Sequence, residues 1–119
     1  MQLCRIYRFE AAHFLPRVPE GHPCRRVHGH SYRVELKVRG PVKEPEGWVL
    51  DFAELDGVFR PLAERLDHNL LNEVPGLQNP TCENLARWIW QALSSRLPPL
   101  ASVRVWETEA ASVLYEGDG

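Results

Sequence analysis

No apolar run in the chain approaches the roughly 20 residues that span a bilayer. The N-terminus, Met1-Gln2-Leu3-Cys4-Arg5, lacks the basic, apolar and small-residue succession of a secretory signal, so a cytoplasmic protein is expected. Cysteine is scarce and odd in number, three in all, which argues against a disulfide framework and leaves thiols free for chemistry. Charge of one sign is not in surplus either. Fourteen basic and sixteen acidic residues give a formal net charge of −2, which removes the bulk electrostatic case for nucleic acid or an anionic membrane as partner. Repeats, linkers and low-complexity segments are absent. A length of 119 residues, 44% of them hydrophobic, suits one domain over 1–119 with one core.

What is present concentrates between Cys24 and Tyr32, in the run Cys-Arg-Arg-Val-His-Gly-His-Ser-Tyr. His28 and His30 are separated by one glycine, so in an extended segment both imidazoles fall on the same face, close enough to share one ion. Cys24 lies outside that alternation and is either a further ligand or a reactive thiol beside the metal. An isolated H-x-H is short, and two surface histidines beside a cysteine are an equally plain reading. The rest of the chain has to decide.

Leu3 to Phe14 reads as a strand with Leu3, Tyr7, Phe9, Ala11 and His13 on one face. His13 therefore ends an apolar face, as a satisfied core histidine or as a third ligand. Three of the ten prolines fall in the loop from Pro16 to Arg26, and His22 within it competes with His13 for the third position. A second strand runs from about His28 to Arg39, with His28 and His30 sharing the parity of Tyr32, Val34, Leu36 and Val38. Gly40 to Gly47 is a turn-rich connection. Asp51 caps a helix, with Glu54 in capping-box position and Leu55, Val58, Phe59, Leu62 and Leu66 as its apolar stripe; Pro61 should kink it or cost it a hydrogen bond. Asp67 and His68 follow directly, as a solvated helix end or a functional pair. Thr81 caps a second helix with a stripe of Leu85, Trp88, Ile89, Ala92 and Leu93, leaving Trp90 off it for partial packing or a subunit contact. Ser102 to Thr108 and Ser112 to Glu116 alternate as strands. Glu107 continues the apolar face of Val103 and Val105, and a carboxylate there needs a partner. The order predicts an α+β fold, a four-stranded antiparallel sheet with two helices on one face.

Taken together, His13 after Glu-Ala-Ala, C-x-x-x-H-G-H-S-Y at 24–32, L-D-F at 50–52, L-D-H-N-L-L-N at 66–72, N-P-T-C-E-N at 79–84 and E-T-E at 107–109 resemble the pyruvoyl-tetrahydropterin synthase superfamily, and within it the 6-carboxy-tetrahydropterin synthase branch of queuosine biosynthesis. The resemblance covers nearly the whole chain in order. It implies a tunnelling fold that oligomerises into a barrel, a trimer or a hexamer of two stacked trimers, with active sites at subunit interfaces. It implies Zn2+ held by His13, His28 and His30, an open three-ligand set. Cys24, Asp67 and His68 would be catalytic, the thiolate as base and His68 as a proton relay oriented by Asp67. Glu107 would anchor the pterin, accepting two parallel N–H groups of the aminopyrimidinone edge as a carboxylate accepts an arginine fork. Thr81 would help hold the pterin, and Arg25 and Arg26 would neutralise a triphosphate or remain solvated loop residues.

The implied reaction converts 7,8-dihydroneopterin triphosphate to 6-carboxy-5,6,7,8-tetrahydropterin, acetaldehyde and triphosphate. Members giving the pyruvoyl product tend to have five residues between the cysteine and H-G-H; here there are three, which favours the carboxy branch. The alternatives are a 6-pyruvoyl-tetrahydropterin synthase, which eliminates triphosphate without cleaving a carbon-carbon bond, and a non-catalytic zinc module closed by Cys24.

Overall fold

The computed structural model describes all residues, Met1–Gly119. Two long strands dominate, β1 (Gln2–His13) and β2 (His28–Arg39), paired antiparallel with no bulge from Gln2 opposite Arg39 to His13 opposite His28. Helix α1 (Phe52–Leu66) follows, then the two-residue β3 (Asn69–Leu70), helix α2 (Cys82–Leu93), and the hairpin strands β4 (Leu100–Thr108) and β5 (Ala111–Tyr115). The sheet order is β3-β1-β2-β4-β5.

One expectation is corrected. The sheet is five-stranded and mixed, because β3 runs parallel to β1, with Asn69 opposite Ala11 and Leu70 opposite Ala12. The cause is local: His68 N–H donates to Glu10 O at 2.6 Å while Glu10 N–H donates to Asp67 Oδ1 at 2.9 Å, laying the chain along the outer edge of β1. Two residues are too few to show an alternation, so nothing in the sequence pattern marks them as a strand.

The α+β reading otherwise holds, with both helices packed on one face of the sheet. The inward parity of the strands buries Phe9, Tyr32, Val34, Leu36, Val38, Val103 and Val105. Against it lie Leu55, Phe59, Leu62 and Leu66 of α1 and Leu85, Ile89 and Leu93 of α2. The Asp51 carboxylate accepts from Ala53 N–H at 2.9 Å, and Thr81 Oγ1 accepts from Asn84 N–H at 3.1 Å, capping the two helices. Pro61 sits on the exposed side of α1, where the Gly57 carbonyl it leaves unpaired can be hydrated, and the helix continues through it. Trp90 packs within its own chain, edge-on to Tyr115 at 5.7 Å and beneath Gly117. Gly117 has φ +85°, and a Cβ there would meet the Trp90 ring at 2.6 Å.

The opposite face of the sheet is polar, with Arg8, Ser31 and Arg33 on it and the Arg33 guanidinium stacked 4.0 Å from the Trp106 ring centroid. No helix is long and apolar enough to cross a membrane.

Candidate active site

The β1–β2 register places His13 directly opposite His28, and His30 opposite Ala11, with all three imidazoles on the helix side at one end of the sheet. Their ring centroids lie 4.5, 5.0 and 5.1 Å apart, with planes inclined by 65–89°. One ligand nitrogen from each falls within 4.8 Å of the others. His13 is buried; His28 and His30 are half-buried.

The hydrogen bonds around the rings say what the cluster is suited to hold. His13 Nδ1–H donates to Pro80 O at 2.8 Å, and His28 Nδ1–H donates to Arg26 O at 2.7 Å, since a carbonyl can only accept. That leaves lone pairs on both Nε2 atoms, which face each other at 3.0 Å. Burial, the largest cause, lowers the pKa values of His13 and His30, favouring neutral imidazoles. Lone pairs converging at that distance repel unless a cation lies among them, and neutral imidazoles with their far N–H groups on backbone carbonyls are the usual form of metal ligands. The group can hold a metal ion. His13 is the third member and His22 is not: His22 Nδ1 accepts from Cys24 N–H at 3.1 Å on the exposed loop.

Glu107, at the end of β4, brings Oε1 to 3.5 Å from Nε2 of both His13 and His30. The carboxylate on an apolar face thus finds its neighbours at the histidine cluster. Cys24 lies on a short 3-10 turn, Pro23–Arg25, half-buried, with its carbonyl accepting from Leu15 N–H at 2.8 Å. The three-histidine group includes neither Cys24 nor Glu107. Arg25 donates to Val18 O at 2.6 Å, which ties its guanidinium to the loop; Arg26 contributes its carbonyl to His28.

Asp67 and His68 form a pair, Nδ1 to Oδ1 3.0 Å, at the edge of β1. The Glu10 N–H above all, with a smaller contribution from His68 and against an opposing desolvation, holds the Asp67 carboxyl below its usual range. His68 adopts φ +59°, which swings its imidazole off the helix end, and its side chain is 78% exposed. It lines a hollow of about 520 Å3 with Glu10, His30, Ser31 and Asn69, whereas Cys24, Thr81 and Glu107 do not. One chain therefore brings together the three histidines and Glu107, while the Asp67-His68 pair opens onto a hollow it shares with His30, its imidazole largely exposed.

A family model described as 6-pyruvoyl tetrahydropterin synthase matches residues 2–118. The chain belongs to that family. It is a pterin-processing family, and its members are the nearest guide to this site. The chain is 41% identical over 115 residues to the 6-carboxy-5,6,7,8-tetrahydropterin synthase of Synechocystis sp., covering 92% of this chain and 88% of that one. It is 36% identical over 116 residues to the dihydroneopterin monophosphate aldolase of Pyrococcus furiosus, covering 93% and 95%. The structure of Caenorhabditis elegans 6-pyruvoyl tetrahydropterin synthase superposes with a TM-score of 0.90 at 26% identity, over 99% of this chain and 96% of that one.

Residue types alone miss three participants. Pro80 and Arg26 act through carbonyls, which carry no side-chain signal. The Tyr32 hydroxyl lies 3.3 Å from His13 Nδ1, buried within the parity that marks it as core. Of the other cysteines, Cys82 donates its S–H to Val105 O at 3.4 Å, and burial pushes its thiol up to about 12. It is an inert core residue.

Proposed function

We propose that the chain is a zinc-dependent carbon-carbon lyase that converts 7,8-dihydroneopterin triphosphate, with water, to 6-carboxy-5,6,7,8-tetrahydropterin, acetaldehyde and triphosphate, a step of queuosine biosynthesis. The observation that carries this reading is the convergence of three imidazole nitrogens with one carboxylate, Glu107, 3.5 Å from two of them. That arrangement suits a ligand with a fused-ring edge to anchor and a hydroxylated side chain to activate. The Synechocystis relative and the three-residue spacing between Cys24 and His28 favour the carboxy product.

His13, His28 and His30 would hold zinc, which when bound supplies Lewis acidity to side-chain oxygens and leaves one coordination position for them. Glu107 accepts the two N–H groups of the pterin edge and so fixes which carbon of the side chain lies over the cluster. Thr81 offers its hydroxyl proton to the pterin while its oxygen caps α2. Cys24, as thiolate, removes protons from the side-chain carbons. His68, oriented by Asp67, takes the hydroxyl proton whose loss starts the carbon-carbon cleavage. Arg25 and Arg26 border the Cys24 turn as counter-charges for the triphosphate. The exposure of His68 fits a pair that serves the cluster of a second chain, in a trimer or hexamer whose sheets join at their edges.

A second reading is favoured by the Pyrococcus relative: aldol cleavage of a dihydroneopterin phosphate. An aldolase leaves the phosphate on the small aldehyde fragment, whereas the proposed lyase frees it as an anion. Anaerobic incubation with 7,8-dihydroneopterin triphosphate and mass spectrometry of the pterin should give the 6-carboxy product. A 6-pyruvoyl product would overturn the branch, and a 6-hydroxymethyl product would favour the aldolase.

A further inference from the structure

The N-P-T-C-E-N run at 79–84 does more than start a helix. Asn84 lies one turn into α2, and its Nδ2 donates back to Asn79 O at 2.9 Å. Thr81 N–H donates to the same carbonyl, also at 2.9 Å. Two donors thus pin the peptide on one side of Pro80. On the other side, Asn84 N–H is held by Thr81 Oγ1 at 3.1 Å. Pro80 itself has no N–H to spend elsewhere, and its carbonyl accepts the Nδ1 proton of His13 at 2.8 Å. His13 is the most buried of the three histidines, and the Pro80 carbonyl is the nearer of the two groups at its Nδ1, the Tyr32 hydroxyl lying at 3.3 Å.

We infer that Asn84 is a positioning residue for the metal site: by clamping the Asn79–Thr81 turn it holds the Pro80 carbonyl against His13 Nδ1–H. That fixes the tautomer that leaves Nε2 free and the ring angle that aims it at His28 and His30. The physical basis is the known dependence of metal affinity on the partner of a ligand's second nitrogen, whose loss costs roughly 10–100-fold. His28 has its own carbonyl, Arg26 O, on a separate loop, so the clamp acts on His13 alone. The inference rests on the metal reading of the three histidines.

Asn84→Asp separates this role from helix capping. A carboxylate in the first turn of a helix is favourable, but it has no N–H to give Asn79 O. The expected result, by competition with a chromophoric chelator, is a Zn2+ dissociation constant several-fold higher than wild type in both Asn84→Asp and Asn84→Ala, short of the roughly 10–100-fold for losing the partner itself because Thr81 N–H still holds Asn79 O. The remote cap variant Asp51→Ala should lower the melting temperature and leave metal affinity unchanged. Wild-type affinity in folded Asn84→Asp would overturn the inference while leaving the metal site standing. Failure of the wild-type protein to bind metal, or undiminished binding by His13→Ala, would instead overturn the metal reading. Nitrogen-15 NMR of the metal-free wild-type protein decides the first link whatever the variants do: His13 should carry its proton on Nδ1, and an unprotonated Nδ1 would sink the proposal.

Discussion

At the residue scale, metal ligands and catalytic groups should separate on substitution. His28→Ala should lose most bound zinc, measured by elemental analysis after gel filtration, because two imidazoles hold a divalent ion far more weakly than three. Cys24→Ala should keep the metal and lose turnover; loss of zinc in that variant would make the thiol a ligand. Acid should weaken the metal-free fold. Burial lowers the pKa values of His13 and His30 in the folded chain, so below about 6.5 the unfolded chain binds protons that the folded one resists. Stability is therefore undiminished above that pH and falls as pH drops from it toward the lowered values. The lowered carboxyl of Asp67 adds a loss of the same sign at more acid pH, as pH falls through its folded value. A melting temperature that does not change between pH 7.5 and 5 would contradict this. Parity put His28 and His30 on one face but left two surface histidines as an equal reading, and the place of Glu107 on an apolar face said only that it needs a partner; the linked motifs, not either position alone, pointed to the cluster. The choice of His13 over His22 depended on the register of two strands distant in sequence, and the Pro80 and Arg26 carbonyls leave no trace in residue type.

At the element scale, periodicity and caps carried most of the information. The β2 alternation gave both its ends, and Asp51 and Thr81 marked the helix starts, because caps and pleats are local. Asp51→Ala should cost about 1 kcal/mol in urea unfolding, and Ile89→Ala, which empties part of the core under α2, about 2–5 kcal/mol. An effect of Asp51→Ala as large as that of Ile89→Ala would mean that α1 is held by its cap rather than by its buried stripe. Strand β3 escaped the sequence pattern since its placement is decided by two hydrogen bonds to Glu10 and a left-handed His68. These are tertiary contacts that no window of sequence contains. Trp90 shows the same limit: off the stripe of its helix, it is covered by Tyr115 and Gly117 from the far end of the chain.

At the scale of the whole molecule, one chain has the histidine cluster and Glu107 on one side of the sheet end and an exposed Asp67-His68 pair on the outer edge of β1. Along the rest of that edge, and along β5 at the other end of the sheet, backbone donors and acceptors have no strand beside them. The family resemblance implies that such edges join in a ring, so light scattering should give a trimer or hexamer. Mixing inactive Cys24→Ala and His68→Ala chains should recover part of the activity, and a fully active monomer would contradict a shared site. The most direct test of the central claim is the molar ratio of acetaldehyde to triphosphate released from 7,8-dihydroneopterin triphosphate under anaerobic conditions. Equimolar release by the wild-type enzyme, with both products absent for Cys24→Ala, is the predicted result; triphosphate without acetaldehyde, or neither from the wild-type enzyme, would contradict it.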